Sequence, residues 1–572
     1  MNTTETIKHD IKKLIESAKY EHALKVLLLL LASYPNDPDI MEMIGDCEFK
    51  LGMFGDALKL FIYLYTLSHR KDIRNKVKEL LLQIRRDEKN SIDTIMVPGN
   101  GFVRGLLTLQ LDPLVSPSMN ILGEIAIEES NLSEARAFAE SAVRFGRFSG
   151  SGYKNLGIVE WLEGLKNKAV VNFARALSYE VTDLHATKFA SAVHDLRQYE
   201  NGVMIVNEIL KEHPGNEILI QLRNEFSKNI PECSNITFTP SHNRSINKFD
   251  KINLLYADPP SGIYTMQHGL KTALERNGYL YYSFSYNHNE PLDLQKLVKY
   301  PILCINGDWE PQLFLVKMVA GKQFVANIQT ESLVTRESYT FYYDHAKDKS
   351  KYFDLFFVMP EDSLNPYGDK PRYWLPSWVH TELFDDIASP LYDKIGFIGS
   401  LHGRHDFLSH DRNQILYIAK AERRNDMLED LMEYVRLINK FKVLVSPMGA
   451  ATKGMVGKSF EFMACKRLCL CYLDDKSMFK SRWLFEDGKD LVYFKTFEEM
   501  EEKYKFYVQH PDIADEIALS GYYKVRKFHN ADVRAKRIAE IILHHANGGT
   551  YNESFDDIAL FGGKAANPSP SF

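Results

Sequence analysis

Two patterns of apolar positions divide the chain. In the amino-terminal half they form helical segments that repeat. Ala23 and Ala57 stand 34 residues apart, each in a Tyr/Phe-x-x-Ala-Leu-Lys setting, with Pro35 twelve residues after Ala23 and Gly45 twelve before Ala57. Gly123 and Gly157 keep the same offset, as do Ala135 and Ala169, and Ala142 and Ala176. A weaker unit carries Gly202, Ile209 and Pro214, while 73–114 fits poorly. A fixed period of this size marks a solenoid, whose units bury their apolar stripes only against their neighbours. The most apolar run, Val26 to Ala32, reads as one buried helix face.

From 229 to 250 the text turns polar and rich in turn residues, as a linker does. Short apolar strands follow, alternating with helical or loop segments: INLLYA (252–257), YLYYSFSY (279–286), PILCING (301–307), QFVANIQ (323–329) and DLFFVMP (354–360). A second set begins at Lys394 with IGFIG (395–399) and continues with FKVLVSP (441–447), LCLCYLD (468–474) and DLVYF (490–494). Between them RNQILYIAKAERR (412–424) and MLEDLMEYVRLIN (427–439) read as helices. This alternation predicts two parallel, doubly wound sheets with a ligand cleft at their carboxyl edges.

Composition narrows the function. Across 572 residues, 45% hydrophobic and 12% aromatic content suits large cores, and 70 basic against 76 acidic residues gives a net charge of -6. No positive excess is available to neutralise a phosphate backbone, so no nucleic-acid partner is expected. No run approaches the roughly 20 apolar residues of a membrane span. The start lacks a secretory signal, and six cysteines in so long a chain suit a reducing cytoplasm, the expected location. Cys465, Cys469 and Cys471 lie in an apolar passage without flanking histidines, so no metal is expected there. Gly457-Lys458-Ser459 lacks the earlier glycine of a phosphate-binding Walker loop.

The repeats resemble the tetratricopeptide (TPR) repeat. The second half resembles the group 1, CgeB-like glycosyltransferases of the GT-B fold, on motifs that occur in the family's order. IGFIGSLHGRHDFL (395–408) is similar to the strand, Gly-Ser loop and arginine that open the carboxyl-terminal domain. VLVSPMGAATKGMVGKSFEFMACKRLCLCYLDD (443–475) is similar to the donor-binding strand, loop and helix around Phe460-Glu461. LPSWVHTELF (375–384) resembles the connector between the sheets, and GYYKVRKFHNADVRAKRIAEII (521–542) the closing helix. Where the family carries arginine, asparagine and glycine, this chain has Lys458, Ser446 and Lys466.

The expected architecture is therefore multidomain: an all-α TPR superhelix, then a GT-B α/β region of two Rossmann-like doubly wound domains. The expected boundaries are a repeat array over 1–228, a linker over 229–250, an acceptor domain over 251–385, a nucleotide-sugar donor domain over 386–546 and a flexible tail over 547–572.

A diphosphate needs backbone N–H groups and positive charge, which a glycine-containing turn opening onto a helix supplies. Gly399, Ser400 and Arg404 in the first loop, and Lys458 and Ser459 at the second, fit that need. The resemblance implies that Glu461 accepts hydrogen bonds from ribose or sugar hydroxyls. An acidic residue in a first turn otherwise balances the helix dipole. For the base that takes the acceptor proton, Asp258 and His268 are the candidates, against the alternatives of a helix cap and an ordinary half-buried histidine.

TPR arrays fused to such domains resemble bacterial protein O-glycosyltransferases, including those that modify flagellins. The resemblance implies a UDP-linked sugar as co-substrate without a required metal, and a Ser/Thr hydroxyl of a protein held in the array's groove as acceptor. A scaffold or homo-oligomer surface is the other use of the array. A glycan acceptor, or a catalytically degenerate interaction protein, remains the alternative function.

Overall fold

The computed structural model describes residues 3–34, 37–68, 70, 72–73, 75–81, 115–145, 150–230, 248–256, 265–286, 289–308, 312–330, 346–359, 366–389, 391–392, 394–399, 416–420, 431–446, 455–473 and 480–551. It divides into two compact units, Met1–Glu232 and Cys233–Phe572.

The first unit is helical. Its described helices include Pro38–Lys50, Phe54–Ser68, Val115–Glu128, Leu132–Phe145, Gly150–Leu162, Lys166–Tyr179, Asp183–Leu196 and Tyr199–Glu212, and neighbours in sequence pack against one another. Local chemistry starts them: Asp37 caps Pro38–Lys50, which has proline at its first position, and Thr182 and Asn216 cap later helices. The recurring small residues are contact points. Ala23, Ala57, Ala135 and Ala169 are fully buried. A Cβ on Gly45 would lie 2.8 Å from the Phe61 ring, on Gly157 2.7 Å from Phe173, and on Gly202 2.8 Å from Phe226. The glycine is thus where a phenylalanine of a later helix rests, which gives the array its tetratricopeptide character.

The second unit holds two all-parallel sheets. Strands β1 (Ile252–Tyr256), β2 (Leu280–Ser285), β3 (Ile302–Ile305), β4 (Val325–Gln329), β5 (Leu355–Val358) and β6 (Arg372–Trp374) pair in the order β2-β1-β3-β4-β5-β6. Strands β7 (Ile395–Gly399), β8 (Leu416–Lys420), β9 (Val443–Ser446), β10 (Leu468–Tyr472) and β11 (Val492–Phe494) pair in the order β11-β10-β9-β7-β8. Counted from its own first strand, the first sheet runs 2-1-3-4-5-6 and the second 2-1-3-4-5. Each therefore reverses direction once, between β1 and β3 or between β7 and β9, and ligands of open sheets bind outside the carboxyl ends at such reversals.

The segment 412–424 corrects one sequence expectation. Its centre is not a helix but the edge strand β8, paired with β7 from Ile395↔Leu416 to Gly399↔Lys420. A short apolar run next to charged residues fits either state by periodicity, and the open side of β7 decides it. Strand β6, formed by the aromatic Tyr373-Trp374, carried no strand signal of its own.

The chain crosses between the sheets twice. Residues 375–384 lead from the first to the second, and the helix Ala531–Ala546 returns to the first. There Ala535, Ile538, Ala539 and Ile542 share a core with Ile252, Leu254, Leu270 and Leu274. The passages are joined: Val379 donates to the His529 carbonyl and Ala531 donates to the Val379 carbonyl, both at 3.0 Å. Asn547 and the Phe249 backbone exchange bonds of 2.8 and 3.1 Å, and Tyr551 packs on Tyr373. Residues 552–572 of the expected tail lie outside the described residues.

Candidate functional site at the second sheet's reversal

The helix Gly457–Ala464 starts beside the carboxyl ends of β7 and β9. Lys458, in its first turn, bonds the Ile398 carbonyl of β7 and lies 5.8 Å from the Phe397 ring centroid. Ser459 is fully buried and donates to Ser446 Oγ at the end of β9, at 2.8 Å. The two side chains thus fasten this helix to both strands that flank the reversal. The helix dipole and the ammonium place positive charge there, as an anionic ligand requires. A serine at 446 is compatible with the site, because its hydroxyl accepts from Ser459.

Glu461 lies three residues beyond Lys458, on the same side of the helix. Its Oε2 accepts from the Tyr434 hydroxyl at 2.7 Å. Tyr434 is buried on the helix Leu431–Ile438, and burial, then the Glu461 charge, pushes its phenol well above its ordinary value. A neutral hydroxyl that always donates holds the glutamate in one orientation. Tyr434 had no sequence signal beyond its place in an amphipathic helix.

Of the other sequence candidates, Gly399 ends β7, while Ser400 and Arg404 lie outside the described residues. Asp258 lies outside them too. His268 is in the first turn of the helix Thr265–Arg276, and its side chain is not among those described. Lys458, Ser459 and Glu461 are thus placed around one reversal, and Asp258 and His268 belong to the segment after β1.

The family-like motifs also include residues that join the two sheets. Arg534 is fully buried and donates to the carbonyls of Phe528 (2.8 Å), Pro376 (3.2 Å) and Ser377 (3.5 Å) and to His529 Nδ1 (2.7 Å). Burial lowers its pKa to about 9, so it stays charged at neutral pH. Burial, and then the Arg534 charge, push His529 well below its ordinary value, and its neutral ring packs against Phe460 and Phe485. The histidine of the closing motif therefore touches the residue preceding Glu461. Trp374 and Trp378 are buried as anchors of the connector.

The thiols of Cys465, Cys469 and Cys471 are buried, and burial pushes Cys471 up to about 12. Among the described residues no cluster of metal-binding side chains occurs, and no helix is long and apolar enough to cross a membrane.

Two parallel sheets of this topology, joined by a connector and a returning helix, have the GT-B architecture. Residues 396–540, which span β7 to β11 and most of the closing helix, match the family described as "Glycosyl transferase-like", so the chain carries a glycosyltransferase domain behind its tetratricopeptide-type array. No curated protein matches the chain. Among solved structures it is similar to Anabaena HepE in complex with UDP, with 13% identity over 51% of this chain and 99% of that one, at a TM-score of 0.35. It is similar to a mutant O-GlcNAc transferase of Thermobaculum terrenum, with 11% identity over 82% of this chain and 98% of that one, at a TM-score of 0.37. A Thermus thermophilus TPR protein is 17% identical over 39% of this chain and 97% of that one, at a TM-score of 0.17.

Proposed function

We propose that the protein transfers a sugar from a nucleotide donor, a UDP sugar, to a Ser/Thr hydroxyl of a cytoplasmic acceptor protein presented by the helical array. The observation that carries this reading is the coincidence of the glycosyltransferase match with the sheet whose reversal holds Lys458 at a helix start. In the reaction the acceptor oxygen bonds to the anomeric carbon while the bond from that carbon to the diphosphate oxygen breaks. The nucleoside diphosphate leaves and the hydroxyl proton passes to a base, for which Asp258 and His268 are the candidates. Lys458, Arg404 and the helix N-terminus stabilise the departing charge, and the array contributes by raising the local acceptor concentration. Gly399, Ser400 and Ser459 contribute the loop backbone and its anchor, and Glu461, held by Tyr434, orients donor hydroxyls. Flagellin is the first acceptor to try.

The test is a panel of nucleotide sugars offered to the full-length protein by calorimetry, followed by intact-mass analysis of candidate acceptors co-expressed with it. A mass increment of one sugar on a Ser/Thr residue is expected. No binding of any nucleotide sugar would end the reading. Glu461→Ala should weaken donor binding about tenfold, the scale of one charged hydrogen bond. His268→Ala should lower turnover at unchanged donor affinity, and full activity in that variant would remove His268 from the base role.

A further inference from the structure

The two sheets share the order of their first five strands, so the reversal at β7/β9 has a counterpart at β1/β3, and the loop after β3 corresponds to the loop after β9. That loop begins Asn306-Gly307-Asp308. Asn306 adopts a left-handed backbone with φ +53°, a conformation asparagine tolerates better than most side chains. Its side-chain oxygen accepts from the Thr330 backbone N–H at 3.0 Å, and its amide nitrogen donates to Thr330 Oγ1 at 2.8 Å, which ties the carboxyl ends of β3 and β4 together. One layer down, Asn327 on β4 accepts from the Gly307 N–H at 2.7 Å and donates to Asp308 Oδ1 at 3.2 Å. Asn327 is fully buried and Asp308 is 3% exposed.

Closing a loop does not require a buried carboxylate, whose desolvation is expensive unless it is hydrogen-bonded. Here the carboxylate and amides concentrate at the one edge position where an open sheet receives its ligand. Asn306 and Thr330 form the upper, half-buried layer, and Asp308 and Asn327 hold it from below. Amide, hydroxyl and carboxylate groups suit a neutral hydroxyl-bearing ligand and disfavour an anion. The division of labour with the second sheet, where Lys458 meets an anion, follows from that chemistry.

We propose that the clasp of Asn306, Asp308, Asn327 and Thr330 is the acceptor-side subsite, in which Asn306 and Thr330 contact the acceptor near its reacting hydroxyl and Asp308 is a positioning residue that sets the Asn306 loop. This rests on the glycosyltransferase reading above.

Full-length wild type, Asn306→Ala, Asn306→Gly, Thr330→Val and Asp308→Asn would be compared with a panel of UDP sugars and two acceptor probes, purified flagellin and a library of Ser/Thr hexapeptides. Circular dichroism and donor Kd serve as folding controls. Expected are at least tenfold losses of transfer, expressed chiefly in acceptor KM for Asn306→Ala, Asn306→Gly and Thr330→Val, with donor Kd within twofold. Asn306→Gly keeps the backbone conformation and removes only the amide, so its loss separates contact from loop shape. Thr330→Val is near-isosteric and guards against a variant that fails to fold. Wild-type transfer in Asn306→Gly and Thr330→Val would overturn the proposal, as would donor binding without transfer to either probe by the wild type. Absence of donor binding in the wild type would instead strike the glycosyltransferase reading itself.

Discussion

Lys466 shows how a departure from a family pattern can be purely a backbone matter. It follows the helix Gly457–Ala464 with φ +55°, its N–H bonds the Met463 carbonyl at 2.9 Å, and the Arg467 N–H bonds the Phe462 carbonyl at 3.1 Å. That pair of bonds is a Schellman stop, whose left-handed position favours glycine. Lys466→Gly should therefore stabilise the second unit by about 1 kcal/mol with donor affinity unchanged, measurable as a rise in Tm. His529 provides a pH signature at the same scale. Because its folded pKa lies well below the ordinary 6.5, the unfolded chain binds the extra proton. Its contribution is complete above pH ~6.5 and declines below that by up to about 1.4 kcal/mol per pH unit. Denaturant titrations at pH 7.5 and 5.5 should show the loss, and His529→Gln, which retains an acceptor for Arg534, should flatten it. An equal decline in His529→Gln would assign the effect to other groups.

At the scale of elements, the array's glycines are not equivalent. A Cβ on Gly157 would press on Phe173, itself only 4% exposed, whereas on Gly123 it would meet ordinary neighbours at 3.6 Å. Gly157→Ala should cost about 1–2 kcal/mol net of improved helix propensity, while Gly123→Ala should stabilise by up to about 1 kcal/mol. Opposite shifts in the unfolding midpoint check both together. This contrast also explains what was legible in the sequence. The small residues stood out because close helix approach forces them to recur, and strands such as Ile302–Ile305 stood out because strands buried on both faces are apolar throughout. The helical reading of 412–424 failed because an edge strand is defined by the partner beside it, which no local pattern contains.

At the scale of the whole molecule, the grouping of Lys458, Ser459 and Glu461 at the second sheet's reversal was legible as a candidate because these residues lie close together in the chain at a helix start. The clasp after β3 was not, since Asn306 and Thr330 are 24 positions apart and only strand pairing brings them together. The sheets depend on long-range ties in the same way. Arg534→Met should destabilise the second unit by about 1–3 kcal/mol, since it leaves the buried carbonyls of Phe528 and Pro376 without their donor. Calorimetry of the full chain should show that unit's transition lowered and the array's transition in place.

The returning helix Ala531–Ala546 has a consequence for how the protein is made. The first sheet opens at Ile252, yet part of the apolar surface that completes its core is supplied by Ile538 and Ile542. At ribosomal rates of about 5–20 residues per second, the sheet, whose last strand ends at Trp374, waits on the order of 10–35 seconds with one flank uncovered. A premature stop shortly before Ala531 would therefore damage the part of the unit translated earliest, and nascent chains should recruit ribosome-associated chaperones over that interval and release them once the helix Ala531–Ala546 has emerged.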